Sequence, residues 1–475
     1  MQNKFYLTTT LPYVNAAPHI GFALEIVQAD VIARYHRLLG DAVFFNFGTD
    51  EHGKKIYDKA IEVKKDPKTY CDEYAAKFDD LKQALNLSYN SFIRTTDPKH
   101  IIAAQEFWKR CKTNGDIYKK NYKTKYCVGC ELEKTDSELV DGHCPLHPNQ
   151  DVEIIEEENY FFKFSNYQDR LLQLYKENPQ FVIPAYRQKE ITEFVSKGLQ
   201  DFSISRLKSK LPWGIDVPDD PDHVMYVWFD ALINYISAIG WPNDVKTFKS
   251  WWPVVQFAGK DNLRQQSAIW QIMLFSAGLP SSKQIFIHGF ISVDGQKISK
   301  SLGNIVDPYA LVKKYGTDAL RYYLLREIPA YDDGDFSERR FKELYNANLA
   351  NGLGNVIART AKLCESAELK IPVYQPNFYQ SHSGNTKKYL DSFLFDQALE
   401  YIWAHLKRVD KQINDRKPWE KQGQELITIL EGLVGDIRMI ADALQPFLPE
   451  TAEKILKQFK GPKVTSQPPL FPRIV

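Results

Sequence analysis

Three clusters of residues in this chain have the types and spacing for chemistry. Cys127-x-x-Cys130 and Cys144-x-x-His147 place four soft or borderline donors in two short knuckles. That pattern suits a tetrahedral zinc ion, and four protein ligands leave no position for a reacting water, so the metal is expected to be structural. His143 is the other candidate for the fourth ligand, but His147 repeats the two-residue spacing. Pro18-His19-Ile20-Gly21-Phe22 puts an imidazole and a glycine where a helix should begin. Helix N-terminal amides favour anions, the glycine permits close approach, and an imidazole N–H can donate to phosphate oxygens. The plainer reading is a capping histidine. Lys297-Ile298-Ser299-Lys300-Ser301 lies in a Gly-flanked loop with two ammoniums three residues apart. Mobile point charges can neutralise a polyphosphate during transfer, although a solvated surface loop would look the same.

These clusters need a frame. Lys4–Thr10 reads as a strand, and Leu24, Val27, Val31, Tyr35 and Leu38 recur at helical spacing up to a Gly40 stop. Ala42–Phe47 reads as a second strand, with GTDEHG at its carboxyl end. This is a βαβ unit opening a parallel sheet, whose ligands bind at the carboxyl ends of the strands. Helical stretches near 67–85 and 98–114 follow. The Lys-, Tyr- and Cys-rich sequence through about Gln150 then breaks the pattern, as an insertion would. MYVWFDALINYI, VVQFAG and KQIFIHGF resume the alternation, and from about Ser337 to Phe459 long amphipathic segments read as an all-helical bundle. The expected fold class is α/β: a Rossmann-type parallel-sheet catalytic domain with a zinc-binding insertion, followed by an all-α bundle. The expected limits are 1–115 and 223–290 for the two sheet halves, 116–222 for the insertion, 291–344 for the region of the Lys-rich loop, and 345–475 for the bundle.

Sixty-one Lys plus Arg against 60 Asp plus Glu leave a net charge of +1, which excludes a general basic field and makes any RNA contact local. No apolar run approaches the roughly 18 residues of a membrane span, and the first residues lack a secretory pattern. A cytoplasmic protein is expected, and in a reducing compartment clustered cysteines point to metal before disulfide.

A His-x-Gly turn after the first strand, a Lys-Ile-Ser-Lys-Ser loop near residue 300 and a helical carboxyl end together resemble the class I aminoacyl-tRNA synthetases. LPYVNAAPHIG, GTDEHGKKI, YVWFDALINY, GKDNLR, HGFISVDGQKISKSLGN and DRKPWE, in this order, resemble the methionyl members of that family across nearly the whole chain. The resemblance implies an ATP-dependent ligase that forms methionyl-adenylate with Mg²⁺ and passes the methionyl group to tRNA(Met). It implies that Asn15, His19 and Gly21 hold ATP, that Gly259 and Asp261 lie against the ribose, and that Lys297 and Lys300 neutralise the phosphates. Asp50 would bind the α-ammonium of L-methionine, and Leu11, Tyr13, Trp228, Ala231 and Tyr235 would build the side-chain pocket. The Tyr235 hydroxyl and Leu11 amide could donate to sulfur, giving selectivity beyond size. Asn355, Arg359 and Trp419 would read the anticodon by hydrogen bonding and stacking. The chain departs from the family where Phe22 replaces a second histidine, Asn262 an apolar pocket residue, and Gln266 a common histidine. These departures keep a synthetase for another apolar amino acid, or a non-catalytic tRNA binder, as alternatives. The carboxyl end near PLFPRIV suggests no appended dimerisation domain, hence a monomer.

Overall fold

The computed structural model describes residues 2–130, 132–134, 136–298, 303–377, 379 and 384–474. Its centre is a six-stranded sheet of β1 (Lys4–Thr8), β2 (Ala42–Thr49), β3 (Ser91–Arg94), β4 (Val182–Ile183), β5 (Val255–Gly259) and β6 (Gln284–His288). The spatial order is β3-β2-β1-β5-β6-β4, and every pairing is parallel. The order reverses between β1 and β5, so their carboxyl ends open the crevice in which doubly wound sheets hold ligands.

Alternation along the strands sends neighbours to opposite faces. Phe5, Leu7, Phe257 and Phe286 enter one core, which packs against α1 (Ile20–Leu38), while Tyr6, Ala258, Ile285 and Ile287 enter the other, with Phe107, Trp108 and Trp270. The first core runs without interruption into the carboxyl-terminal helices α3 (Asn355–Ser366), α4 (Phe395–Arg416), α5 (Gly423–Leu444) and α6 (Pro449–Gln458). A buried pair joins the two parts. Arg321, on α2 (Thr317–Arg326), lies 2.9 Å from Asp30 of α1 and donates to the carbonyls of Leu85, Pro446 and Phe447. Desolvating an arginine is costly, and these partners are what make it tolerable.

The insertion is a four-stranded antiparallel sheet built on a long hairpin, Ile117–Cys127 against Glu153–Phe162. Two details differ from the expected limits. Segment 116–222 also supplies β4 to the main sheet, because Val182 is fully buried against β6 and two residues are too few to register as a strand in sequence. The 344/345 limit falls inside a continuous helical run, Glu338–Leu344 passing through a π-helical stretch, Tyr345–Gly354, into α3.

Candidate functional site

The turn after β1 is closed onto the turn after β2 by two backbone bonds, Asp50 N–H to Pro12 O at 2.9 Å and Val14 N–H to Asp50 O at 3.2 Å. These bonds bring Leu11 and Tyr13 beside the buried Asp50, and the Tyr13 hydroxyl donates to the His52 carbonyl at 2.7 Å. The GTDEHG segment is held from below. Glu51, fully buried, takes a bidentate pair from Arg94 of β3 at 2.6 and 2.8 Å, and His52 Nδ1 meets Asp230 at 2.6 Å. Asp230 also meets His100 Nε2 at 2.7 Å, which fixes the segment carrying Trp228 and Ala231. Gly48 has no alternative, since a Cβ there would sit 1.8 Å from the Ile93 carbonyl of the neighbouring strand.

His19 caps α1. Its Nδ1 accepts the Gly21 N–H at 3.1 Å, and a Cβ on Gly21 would come within 2.9 Å of the ring. The capping reading is therefore the one the structure shows. Burial lowers the imidazole's pKa, so near pH 7 it is neutral; with Nδ1 accepting, the ring proton lies on Nε2 and is a donor. Phe22 fills the place of the second histidine by packing on His19 and Phe78.

Below the switch point sits a cluster that sequence reasoning missed. Glu25, one turn into α1, accepts the Thr10 N–H and hydroxyl at 2.8 and 2.6 Å and meets His288 Nε2 at 2.9 Å. Burial alone would lower the His288 pKa, but the Glu25 bond and charge outweigh it and raise it. Asp261 follows β5 immediately; a Cβ on Gly259 would lie 2.8 Å from its carboxylate and 3.6 Å from the His288 ring. Asp261 remains open to solvent in the cleft, yet enough protein surrounds it that partial desolvation, with the Glu25 charge, raises its pKa. Asn262 turns its amide onto Asp261 at 3.2 Å, which satisfies the polarity that made it a poor wall residue. Asn15 is half-buried in the β1 turn.

Tyr235 is buried on the opposite side of the sheet from α1, its carbonyl accepting the Tyr6 hydroxyl at 2.7 Å. Gln266 is buried too, and its amide donates to the Tyr235 hydroxyl at 2.8 Å.

Lys297 lies exposed at the end of a short hairpin, Ile291–Val293 against Gln296–Lys297, while Ser299, Lys300 and Ser301 lie outside the described residues. The far side of this loop is tied to the head of α1 by the Ile20 N–H on the Val306 carbonyl at 3.1 Å.

Cys127, Cys130, Cys144 and His147 converge, with one ligand atom from each all within 4.8 Å of one another. Cys130 Sγ lies 3.4 Å from Cys144 Sγ and 3.2 Å from His147 Nδ1. Legs of about 2.3 Å to sulfur and 2.0 to 2.1 Å to nitrogen in a tetrahedron fit these separations. His143 instead faces Asp151. Gly129 makes the knuckle possible, because a Cβ there would strike the His147 ring at 2.4 Å. Burial, then the nearby charges of Lys55, Lys297 and Lys134, lowers the His147 pKa and favours the neutral, ligating ring. Lys55 Nζ donates to the Gly129 carbonyl at 2.6 Å, so the knuckle rests directly on the GTDEHGKK segment.

In the bundle, Asn355 is exposed at the start of α3, and Arg359 is engaged by Asp410 and Asn414 of α4, each at 2.8 Å. Trp419 follows the left-handed Lys417 at the end of α4 and is 55% exposed, an unusual amount for tryptophan.

The model of the class I tRNA synthetases (M) matches residues 5–154 and 147–361. The chain is 43% identical to the methionine–tRNA ligase of Thermotoga maritima, over 96% of this chain and 75% of that one. It is also 43% identical to the methionine–tRNA ligase of Thermosynechococcus vestitus, over 96% and 90%. The chain belongs to the methionyl-tRNA synthetase family. The family's Mycobacterium tuberculosis member, solved in complex with methionyl-adenylate, superposes with a TM-score of 0.93 at 36% identity, covering 99% of this chain and all of that one. Among the described residues, no helix is long and apolar enough to cross a membrane.

Proposed function

We propose that this methionyl-tRNA synthetase family member activates L-methionine and loads it onto tRNA(Met). The methionine carboxylate attacks the α-phosphorus of ATP, pyrophosphate leaves, and methionyl-adenylate remains. The 3′-terminal hydroxyl of the tRNA then attacks the acyl carbon and AMP departs. The observation that carries this reading is that a neutral His19 with its proton on Nε2, the buried Asp50 and the Asp261 carboxylate follow the carboxyl ends of three adjacent parallel strands, β1, β2 and β5. The methionyl-adenylate in complex with the Mycobacterium tuberculosis relative is the intermediate of this reaction.

In this reading His19 donates to ATP phosphate while Gly21 and Asn15 border it, and Gly259 and Asp261 take the ribose. Lys297 and Lys300 neutralise the departing pyrophosphate, and ATP enters as its magnesium complex, in which the ion shields phosphate charge. Asp50 pairs with the α-ammonium. Leu11, Tyr13, Trp228, Ala231 and Tyr235 line the side-chain pocket. Asn355, Arg359 and Trp419 meet the anticodon, and the protein works as a cytoplasmic monomer. No side chain needs to be a nucleophile, because positioning and electrostatics supply the acceleration.

The test is ATP–pyrophosphate exchange with methionine, leucine, isoleucine, valine and cysteine in parallel. Selective exchange with methionine is expected. Exchange driven by another amino acid would reassign the substrate, and none at all would leave a tRNA binder. Zinc in the knuckle would supply a structural cross-link between its two loops. One zinc per chain is expected by elemental analysis, lost in Cys144→Ser; a metal-free native protein would refute it.

A further inference from the structure

Behind Tyr235 runs a chain of buried, uncharged hydrogen bonds whose direction can be read from its anchored end. The Ser282 backbone N–H, which can only donate, meets Gln271 Oε1 at 3.0 Å, and the Gln266 carbonyl, which can only accept, meets Gln271 Nε2 at 2.8 Å. Two backbone groups therefore fix which way the Gln271 amide faces. Its Nε2 also donates to the Ser282 hydroxyl at 3.2 Å, so that hydroxyl sends its own proton onward to Gln256 Oε1 at 2.6 Å. Gln256 Nε2 then donates to Gln266 Oε1 at 2.8 Å, and Gln266 Nε2 to the Tyr235 oxygen at 2.8 Å. Gln256, Gln266, Gln271 and Ser282 are each at most 4% exposed, so no solvent competes for these bonds. At the end of the chain Tyr235 is an acceptor from protein. Burial raises its pKa, while the bond donated by Gln266 acts in the opposite sense. Among the described residues none accepts its proton.

We infer that Gln271 and Ser282 are positioning residues that set methionine selectivity: through Gln256 and Gln266 they occupy the Tyr235 oxygen and leave its O–H to donate to a substrate sulfur. A glutamine could equally turn its Oε1 to a tyrosine and take that proton for itself. What forbids this is the backbone-anchored amide three side chains away. Thioether sulfur is a weak acceptor, so a hydroxyl committed to a protein oxygen would not be drawn off by it. This inference rests on the methionine-activating reading.

The probe is norleucine, which replaces the sulfur of methionine by a methylene of similar size. Exchange is measured with both amino acids on the full-length wild type, Ser282→Ala, Gln271→Met, Tyr235→Phe and the double variant Tyr235→Phe/Ser282→Ala. Removing the Ser282 hydroxyl frees Gln256 and Gln266 to turn over. The expected result is a fall of about tenfold in kcat/KM for methionine, the worth of one hydrogen bond, with norleucine within about twofold. Gln271→Met should follow Ser282→Ala. In the Tyr235→Phe background Ser282→Ala should lower the methionine-to-norleucine ratio no further, since the hydroxyl it orients is gone. Equal losses for both amino acids would show a merely structural role and overturn the inference, as would an unchanged ratio or a full additive effect in the double variant. Norleucine turnover reports that each variant is folded. A wild type that fails to exchange with methionine would overturn the functional reading itself, whereas a methionine-selective wild type with an unmoved ratio overturns only this inference.

Discussion

On one side of the cleft, at the head of α1 and the end of β5, the groups are ionisable: Asp261 is exposed, His19 half-buried, and Glu25 and His288 are buried as a bonded pair. On the other, behind Tyr235, every side chain in the bonded chain is neutral and closed off from water. In the proposed reading the first is the nucleotide side, where charge must be met: the Asp261 carboxylate stays open to water, and the buried Glu25 has His288 as its partner. The amino-acid side must meet a thioether, for which a fixed charge would offer little and cost much to bury. Bond direction replaces charge there. Neutral amides hold that direction only while every donor and acceptor along the chain is matched, which is why it is closed by backbone groups at Ser282 and Gln266.

Three measurements would break or sharpen this contrast. His19→Ala should cost the most, about 10² to 10³ in the rate of methionine-dependent exchange, with methionine binding by titration nearly unchanged; an equal loss in both would place His19 on the amino-acid side. Trp419→Ala, remote from both sides, should raise KM for tRNA about tenfold through lost stacking and leave tRNA-free exchange alone. A drop in exchange would mean the helical domain props up the cleft. The smallest effect concerns stability. Because Glu25 raises the His288 pKa above 6.5, the protonated pair stabilises the fold fully below that value, and its contribution is lost as pH rises through the raised pKa. The wild type should therefore lose on the order of 1 kcal/mol between pH 6 and the alkaline side of that transition, and Glu25→Gln should lose none of it. Parallel melting curves for the two proteins would show that His288 is not charged by Glu25.

How much of this is legible in the residues differs from place to place. His19, Gly21 and the cysteine knuckles are readable because their function needs short spacings: a cap and its glycine two apart, ligands three apart. In sequence Phe22 reads as a missing donor, and the structure shows what it does instead, packing on His19 and Phe78. Gln266 reads as a replacement for a common histidine that can still offer hydrogen bonds. Those bonds turn inward, to Tyr235 and Gln256. Glu25 carries only a weak signal, a carboxylate on the apolar side of a helix, which seldom stays buried without a partner.

By itself, then, the sequence determined the elements and the local motifs: β1, α1 and β2 with their turns, two knuckles for a metal, and a helical carboxyl end. These follow from periodicity and from contacts a few residues long. Only the tertiary structure decided that Glu25 meets His288, 263 residues away, that Val182–Ile183 completes the sheet, and that the Gln271 amide directs the Tyr235 proton. The physical reason is that a hydrogen-bond partner distant in sequence leaves no pattern in either segment. Its direction exists only once a backbone donor and a backbone acceptor have been brought to the two ends of the same side chain.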